Sequence, residues 1–307
     1  MKPAVVVSLA IATLLAIPAG TATAAPAAEP TVGTCEVAFT AFDTTGDGVR
    51  HSLTVASPPT TTTWRDDYLD GLITPDTVAV GTYRVHEYVT IGPKADHSIA
   101  TATGSGRIYR HHRHWAAILY PSSPDPHWLS EVAVRGLPPV RALAEGDAAT
   151  LYTLDGGNLR RFTHFGSPTG ARSAGIKTGF STYRGLTLLR SEKSRDLLVA
   201  TTTRGALMLI EVPRTAAFTP KFSALRTSTW QVYDRLVAQR CGAQTSLVGI
   251  DTRTGRAQVY TIGALKNPGT STTIRRWGPV PHPVRGTLVA RESYLRADDH
   301  DAALHDW

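Results

Sequence analysis

The sequence predicts an all-β protein folded as a small β-propeller, and three observations carry that expectation. Residues 183–210 match residues 233–260 at a constant offset of 50, pairing Tyr183 with Tyr233, Leu186 with Leu236, Arg190 with Arg240, Leu197 with Leu247, Thr202 with Thr252 and Gly205 with Gly255. Turn glycines at 106, 157, 205 and 255 follow one another at 51, 48 and 50 residues, each set between two short apolar runs. No long helical periodicity interrupts these runs. A period near 50 holding strand, turn and strand suits a propeller blade of about four strands.

Two more hairpins flank the regular ones: Cys35 to Val55, turning at Gly48, and Tyr294 to Leu304, turning near His300 and Asp301. Counting both gives six blades over residues 31–307, with five as the alternative. Thr287 to Ala290 resembles the start of a repeat, which places the C-terminus to complete a blade begun at the N-terminus. The strand pairs alternate only weakly, so a single blade has to stack on its neighbours to bury its faces. A pair of β-sandwiches is the competing architecture, and it fits a near-constant period less well.

Met1 and Lys2 precede an apolar run from Ala4 to Ile17, followed by Pro18, Ala19, Gly20 and the small triplet Ala22, Thr23, Ala24. This is the layout of a secretory signal peptide cut after Ala24. The run of about 14 apolar residues is shorter than the roughly 20 a bilayer span needs. The expected organisation is a signal peptide at 1–24, a disordered Ala/Pro lead-in at 25–30, and one propeller domain at 31–307. The mature chain is then secreted and extracellular, without a membrane span. Export also puts Cys35 and Cys241, the two cysteines, in a disulfide-permissive compartment. Their even count and the lack of a Cys-x-x-Cys spacing favour one bridge over a metal site, with two free thiols as the alternative.

Phe-Asp-Thr-Thr-Gly-Asp-Gly-Val-Arg-His at Phe42–His51 resembles the calcium loop of the FG-GAP or VCBS repeats of integrin-like propellers. Asp43, Thr45, Asp47 and Gly48 occupy matching positions, and His51 stands where that loop has a later acid. The resemblance implies a calcium ion on Asp43, Thr45 and Asp47, since alternating oxygen ligands before a turn glycine suit a hard cation. An Asp/Gly-rich hairpin turn with no ion is the plainer reading of the same residues, and no other cofactor is expected. Ala149–Phe162 and Ser194–Ile210 resemble blade hairpins of secreted actinobacterial propellers of the VCBS and tachylectin-like types. In tachylectin-like lectins this implies sugar binding between blades, although no aromatic motif recurs here at a fixed blade position.

The densest polar cluster is Arg110, His111, His112, Arg113, His114 and Trp115. On a strand, 110, 112 and 114 share one face, and 111, 113 and 115 share the other. Arginine with titratable histidine suits an anion or acidic-polysaccharide contact, a solvated strand being the bland alternative. Six tryptophans, at 64, 115, 128, 230, 277 and 307, are scattered in the manner of blade wedges, and Trp115 is the one placed to touch a ligand. The chain lacks a Gly-x-Ser-x-Gly elbow, a His-Glu-x-x-His pair, a phosphate loop and a dinucleotide fingerprint. Asp66, Asp67, Asp70 and Glu87 could serve a glycosidase, which needs only two spaced carboxylates.

The formal charge of +7 falls to +6 once Lys2 is removed with the leader. The arginines are spread over the repeats rather than gathered in a tail, and export separates the chain from intracellular nucleic acid. The expected function is a secreted, non-catalytic, monomeric binding protein for carbohydrate or an anionic extracellular or cell-wall polymer, without nucleic-acid partners. The alternative is an extracellular hydrolase or lyase with acids at the ring's central opening.

Overall fold

The computed structural model describes residues 35–43, 47–66, 73–81, 83–88, 94–116, 129–146, 150–164, 171–215, 217–265 and 268–295. Among them every regular element is a strand. The first three are β1 (Cys35–Phe42), β2 (Gly48–Val55) and β3 (Thr60–Asp66), and they form an antiparallel meander. Next come β4 (Thr77–Val80) and β5 (Tyr83–Tyr88), which pair in turn with the two halves of β6 (Lys94–Thr103) and so act as one interrupted strand. The strands β7 (Ile108–Ala116) and β8 (Leu129–Val134) complete that sheet.

Three four-stranded meanders follow. The first holds β9 (Val140–Glu145), β10 (Leu151–Asp155), β11 (Asn158–Thr163) and β12 (Arg172–Thr178). The second holds β13 (Tyr183–Ser191), β14 (Arg195–Thr202), β15 (Leu207–Pro213) and β16 (Lys221–Arg226). The third holds β17 (Arg235–Cys241), β18 (Gln244–Asp251), β19 (Arg256–Ile262) and β20 (Ile274–Pro279). The last strand, β21 (Leu288–Leu295), returns to pair antiparallel with β1, Leu288 opposite Phe42 and Ala290 opposite Thr40.

That return corrects the expected count of six blades. The C-terminal segment is the inner strand of the N-terminal blade rather than a blade of its own, and His300 and Asp301 lie outside the described residues. Five blades result: β21-β1-β2-β3, then β4/β5-β6-β7-β8, and the three meanders. The inner strands touch in the order β21, β4, β9, β13, β17 and back to β21, which closes the ring. Beyond Arg291, β21 also pairs in parallel with β5, Glu292 opposite Tyr83.

Position within a blade follows sequence polarity. The second strand is covered on both faces, so β14 carries Leu197, Leu198, Val199 and Ala200, all buried, whereas the outermost strand β12, Arg-Ser-Ala-Gly-Ile-Lys-Thr, is largely exposed. The core consists of layers between blades. Leu198 and Ala200 pack toward the third blade with Tyr152 and Leu154, and Leu197 and Val199 pack toward the fifth with Leu236 and Leu247. Each fully buried leucine contributes about 1.5–3 kcal/mol on transfer from water.

The repeat glycines hold consecutive blades together. The carbonyls of Gly106, Gly157, Gly205 and Gly255 accept the amides of Leu137, Phe180, Trp230 and Val284 at 3.0, 2.8, 3.0 and 2.8 Å. Each acceptor sits in the hairpin after a blade's second strand, and each donor sits just before the next blade's inner strand. All four glycines have positive φ, which a residue with a Cβ adopts only under strain. The bridge Cys35–Cys241, with Cα atoms 5.7 Å apart, joins β1 to β17 and fastens the first blade to the fifth. No helix among the described residues is long and apolar enough to cross a membrane.

Candidate functional site

The five inner strands surround a narrow axial pocket with a cavity volume of about 30 Å³, partly open to solvent. Its wall takes residues from every inner strand, among them Val80, Leu143, Leu186, Leu236 and Val289, and its charged members are Arg141 and Arg235. Among the described residues the wall contains no carboxylate. The arginines lie at the mouth where the inner strands begin, the same face that carries the glycine hairpins.

Three arginines there reach forward around the ring. Arg141 on β9 donates to the carbonyls of Ser181 and Phe180 at 2.9 and 3.2 Å, on the way into the fourth blade. Arg184 on β13 donates to Gln231 O at 3.0 Å, on the way into the fifth. Arg235 opens β17 and goes further. Its Nε donates to Thr287 O of the first blade at 3.2 Å, Nη2 to Val78 O of the second at 3.3 Å, and Nη1 to Asp234 O at 3.2 Å. A side chain rooted in the fifth blade and bonded to the second lies across the mouth like a crossbar.

None of the three has a carboxylate within ion-pair distance among the described residues. Two acids of the adjoining segments are engaged elsewhere. Asp234 accepts the Thr252 amide at 2.9 Å and its hydroxyl at 2.6 Å, and Asp76 accepts the Ser105 hydroxyl at 3.0 Å. Burial pulls the Arg235 pKa below its ordinary value, the Asp234 charge opposes that shift, and the positive charge of Arg184 adds to it. The Arg184 and Arg235 guanidinium groups thus feel one another at the mouth while the Asp234 carboxylate is bonded to Thr252, an arrangement that favours an incoming anion.

The sequence-derived candidates fall elsewhere. Arg110 to Trp115 lie on β7, the third strand of the second blade. His111 is buried, with Nε2 bonded to Thr101 Oγ1 at 2.8 Å and Nδ1 to Ser130 Oγ at 2.7 Å, so neither ring nitrogen is left for an external ligand. Arg110 is half-buried, and the side chains of His112, Arg113, His114 and Trp115 lie outside the described residues. In the first hairpin Asp43 Oδ1 accepts the Asp47 amide at 3.1 Å, a turn-closing bond, and Thr45 lies outside the described residues. No group of three or more metal-ligating side chains occurs among the described residues. Asp67 and Asp70, and the side chains of Asp66 and Glu87, also lie outside them.

Trp230 is buried against Tyr233 and Tyr260, whose hydroxyls meet at 2.8 Å, as a wedge between the fourth and fifth blades. Trp277 lies half-buried under the Arg275 guanidinium, 4.1 Å from its ring centre. Sequence comparison had a trace of the axial site: at the offset of 50, Arg235 stands where the other copy has Gly185, a break in an otherwise matched stretch.

No protein-family model matches the chain, and no curated protein matches it. Among solved structures it is similar to the hemopexin fold protein CP4 from cow pea, at 10% identity and a TM-score of 0.34, over 66% of this chain and 94% of that one. It is similar to the fucose-specific lectin from Aleuria aurantia at 10% identity and a TM-score of 0.41, over 80% and 79%. The Trypanosoma rangeli sialidase matches at 10% identity and a TM-score of 0.36, over 80% and 47%. Likenesses this distant carry no inference about ligand or reaction.

Proposed function

We propose that the chain is a secreted, non-catalytic binding protein for a carbohydrate or an anionic extracellular or cell-wall polymer, engaged on the face where the inner strands begin. One observation carries the reading: Arg141, Arg184 and Arg235 gather at the axial mouth with no carboxylate paired to them. Net positive charge adds long-range attraction toward an acidic surface. Arg110, His112, Arg113, His114 and Trp115 are proposed as secondary contacts along β7.

The test is a binding screen of the mature chain against acidic and neutral polysaccharides at low and high salt, with reducing-end release followed in parallel. Acidic polymers should bind and neutral dextran should not. Raising salt should weaken binding, because exposed charge contacts are screened within about 8 Å at physiological ionic strength. Equal binding of both classes, or binding indifferent to salt, rules out the anionic polymer and leaves neutral carbohydrate as the ligand; binding of neither class sinks the proposal. Release of new reducing ends favours the hydrolase or lyase reading instead.

A further inference from the structure

We propose that the axial mouth is a socket for one carboxylate presented at the end of an acidic sugar chain, with Arg235 at its floor and Arg184 and Arg141 on its sides. This rests on the binding reading above and narrows it from an acidic surface to a chain end.

Depth is the first reason. Two acceptors of Arg235 are the carbonyl of Val78, inside β4, and that of Thr287, one residue before β21. With about 3.3 Å of rise per strand residue, the guanidinium sits at or below the level where the inner strands start, beneath the loops and glycine hairpins that ring the face. An anion in the middle of a polymer would have to bend the chain into the ring to reach it, whereas a terminal carboxylate enters point first.

The second reason is donor geometry. A guanidinium carries five N–H groups in a planar fork suited to a carboxylate. Arg184 spends one on Gln231 O, Arg141 two on the carbonyls before β13, and Arg235 three on backbone. Donors therefore remain on guanidinium groups rooted in three blades. Asp234 and Asp76 hold their carboxylates on hairpin hydroxyls, so neither fills the socket.

Calorimetry with galacturonic acid, trigalacturonate, long polygalacturonate, galactose and sodium sulfate tests this. Galacturonate and trigalacturonate should bind one per protein, and galactose should not. Counted per chain, polygalacturonate should match the trimer within about threefold, since trimer and polymer offer the same number of chain ends. Arg184→Gln, which removes an exposed residue making one hydrogen bond, should weaken trimer binding about tenfold with an unchanged melting profile. Arg235→Lys keeps the charge and loses the fork, and should weaken it at least as much. Polygalacturonate affinity that rises in proportion to chain length, or polymer binding without monomer or trimer binding, overturns the socket and leaves surface binding standing. Absence of binding by every acidic glycan overturns both. Sulfate binding as tightly as galacturonate overturns the role of the sugar, and an Arg184→Gln variant that binds like the parent overturns the residue assignment.

Discussion

Acid should loosen the ring through one histidine. His51 on β2 is 1% exposed and stacked on Phe39 with ring centres 4.9 Å apart, and neither of its ring nitrogens has a hydrogen-bond partner among the described residues. Burial, with help from the charge of His282, lowers its pKa from 6.5 to about 4. The unfolded chain therefore takes up a proton that the folded chain refuses, and between these two values stability falls as pH falls. The full contribution is present above pH 6.5 and is lost by about pH 4. At about 1.4 kcal/mol per unit of pKa difference the total is about 3 kcal/mol, of which about 2.5 kcal/mol is gone at pH 4.5. Urea denaturation at pH 7.5 and 4.5, for the parent and for His51→Phe, isolates this group, because every other titration is common to both proteins. The variant should lose less stability on acidification than the parent by about 2.5 kcal/mol, whatever the cost of repacking at neutral pH. Equal acid losses in the two would refute the assignment.

Opening the Cys35–Cys241 bridge, which spans a sequence separation of 206, should cost about 2–5 kcal/mol, read as a lower urea midpoint of the double serine variant. Asp196, 1% exposed, accepts from Tyr152 Oη at 2.7 Å, Ser191 Oγ at 2.8 Å and Arg214 Nη2 at 2.9 Å. Asp196→Leu leaves a tyrosine and an arginine without their acceptor between the third and fourth blades, so a loss of about 3 kcal/mol is expected by the same measurement. Gly106 and Gly136 have nearly the same φ, +74° and +72°, but a Cβ at 106 would fall 1.9 Å from Leu137 O while one at 136 meets nothing within 4 Å. Gly136→Ala should cost about 1 kcal/mol from backbone strain alone, and Gly106→Ala clearly more; equal midpoints would contradict the glycine latch between blades.

Much of the fold was legible because blade repetition is local. Gly106, Gly157, Gly205 and Gly255 take a positive φ that is set within one hairpin, and the central strands must be apolar on both faces, so each copy carries the same marks. Position 111 shows the limit of such marks. Alternation along β7 assigns 110, 112 and 114 to one face and 111, 113 and 115 to the other, but not which face is inner, and Thr101 and Ser130, the partners that bury His111, lie ten and nineteen residues away in sequence. The pairing of Cys35 with Cys241 was foreseen from their count, while their approach to 5.7 Å depends on two blades meeting where the ring closes.

Repeat identity, strand polarity and turn chemistry were determined by the sequence alone, since short-range sterics and solvent transfer act on neighbouring residues. Blade number was not, because whether Leu288–Leu295 starts a sixth sheet or completes the first depends on which free strand edge it meets, and the β1 edge lies at the other end of the sequence. The axial site was decided in the same way. Arg235 reads as an unremarkable substitution for a repeat glycine until closure brings Thr287 and Val78, from two other blades, within 3.3 Å of its guanidinium. Hydrogen bonds and charge repulsion at that range are set by distance in space, which only the closed ring supplies.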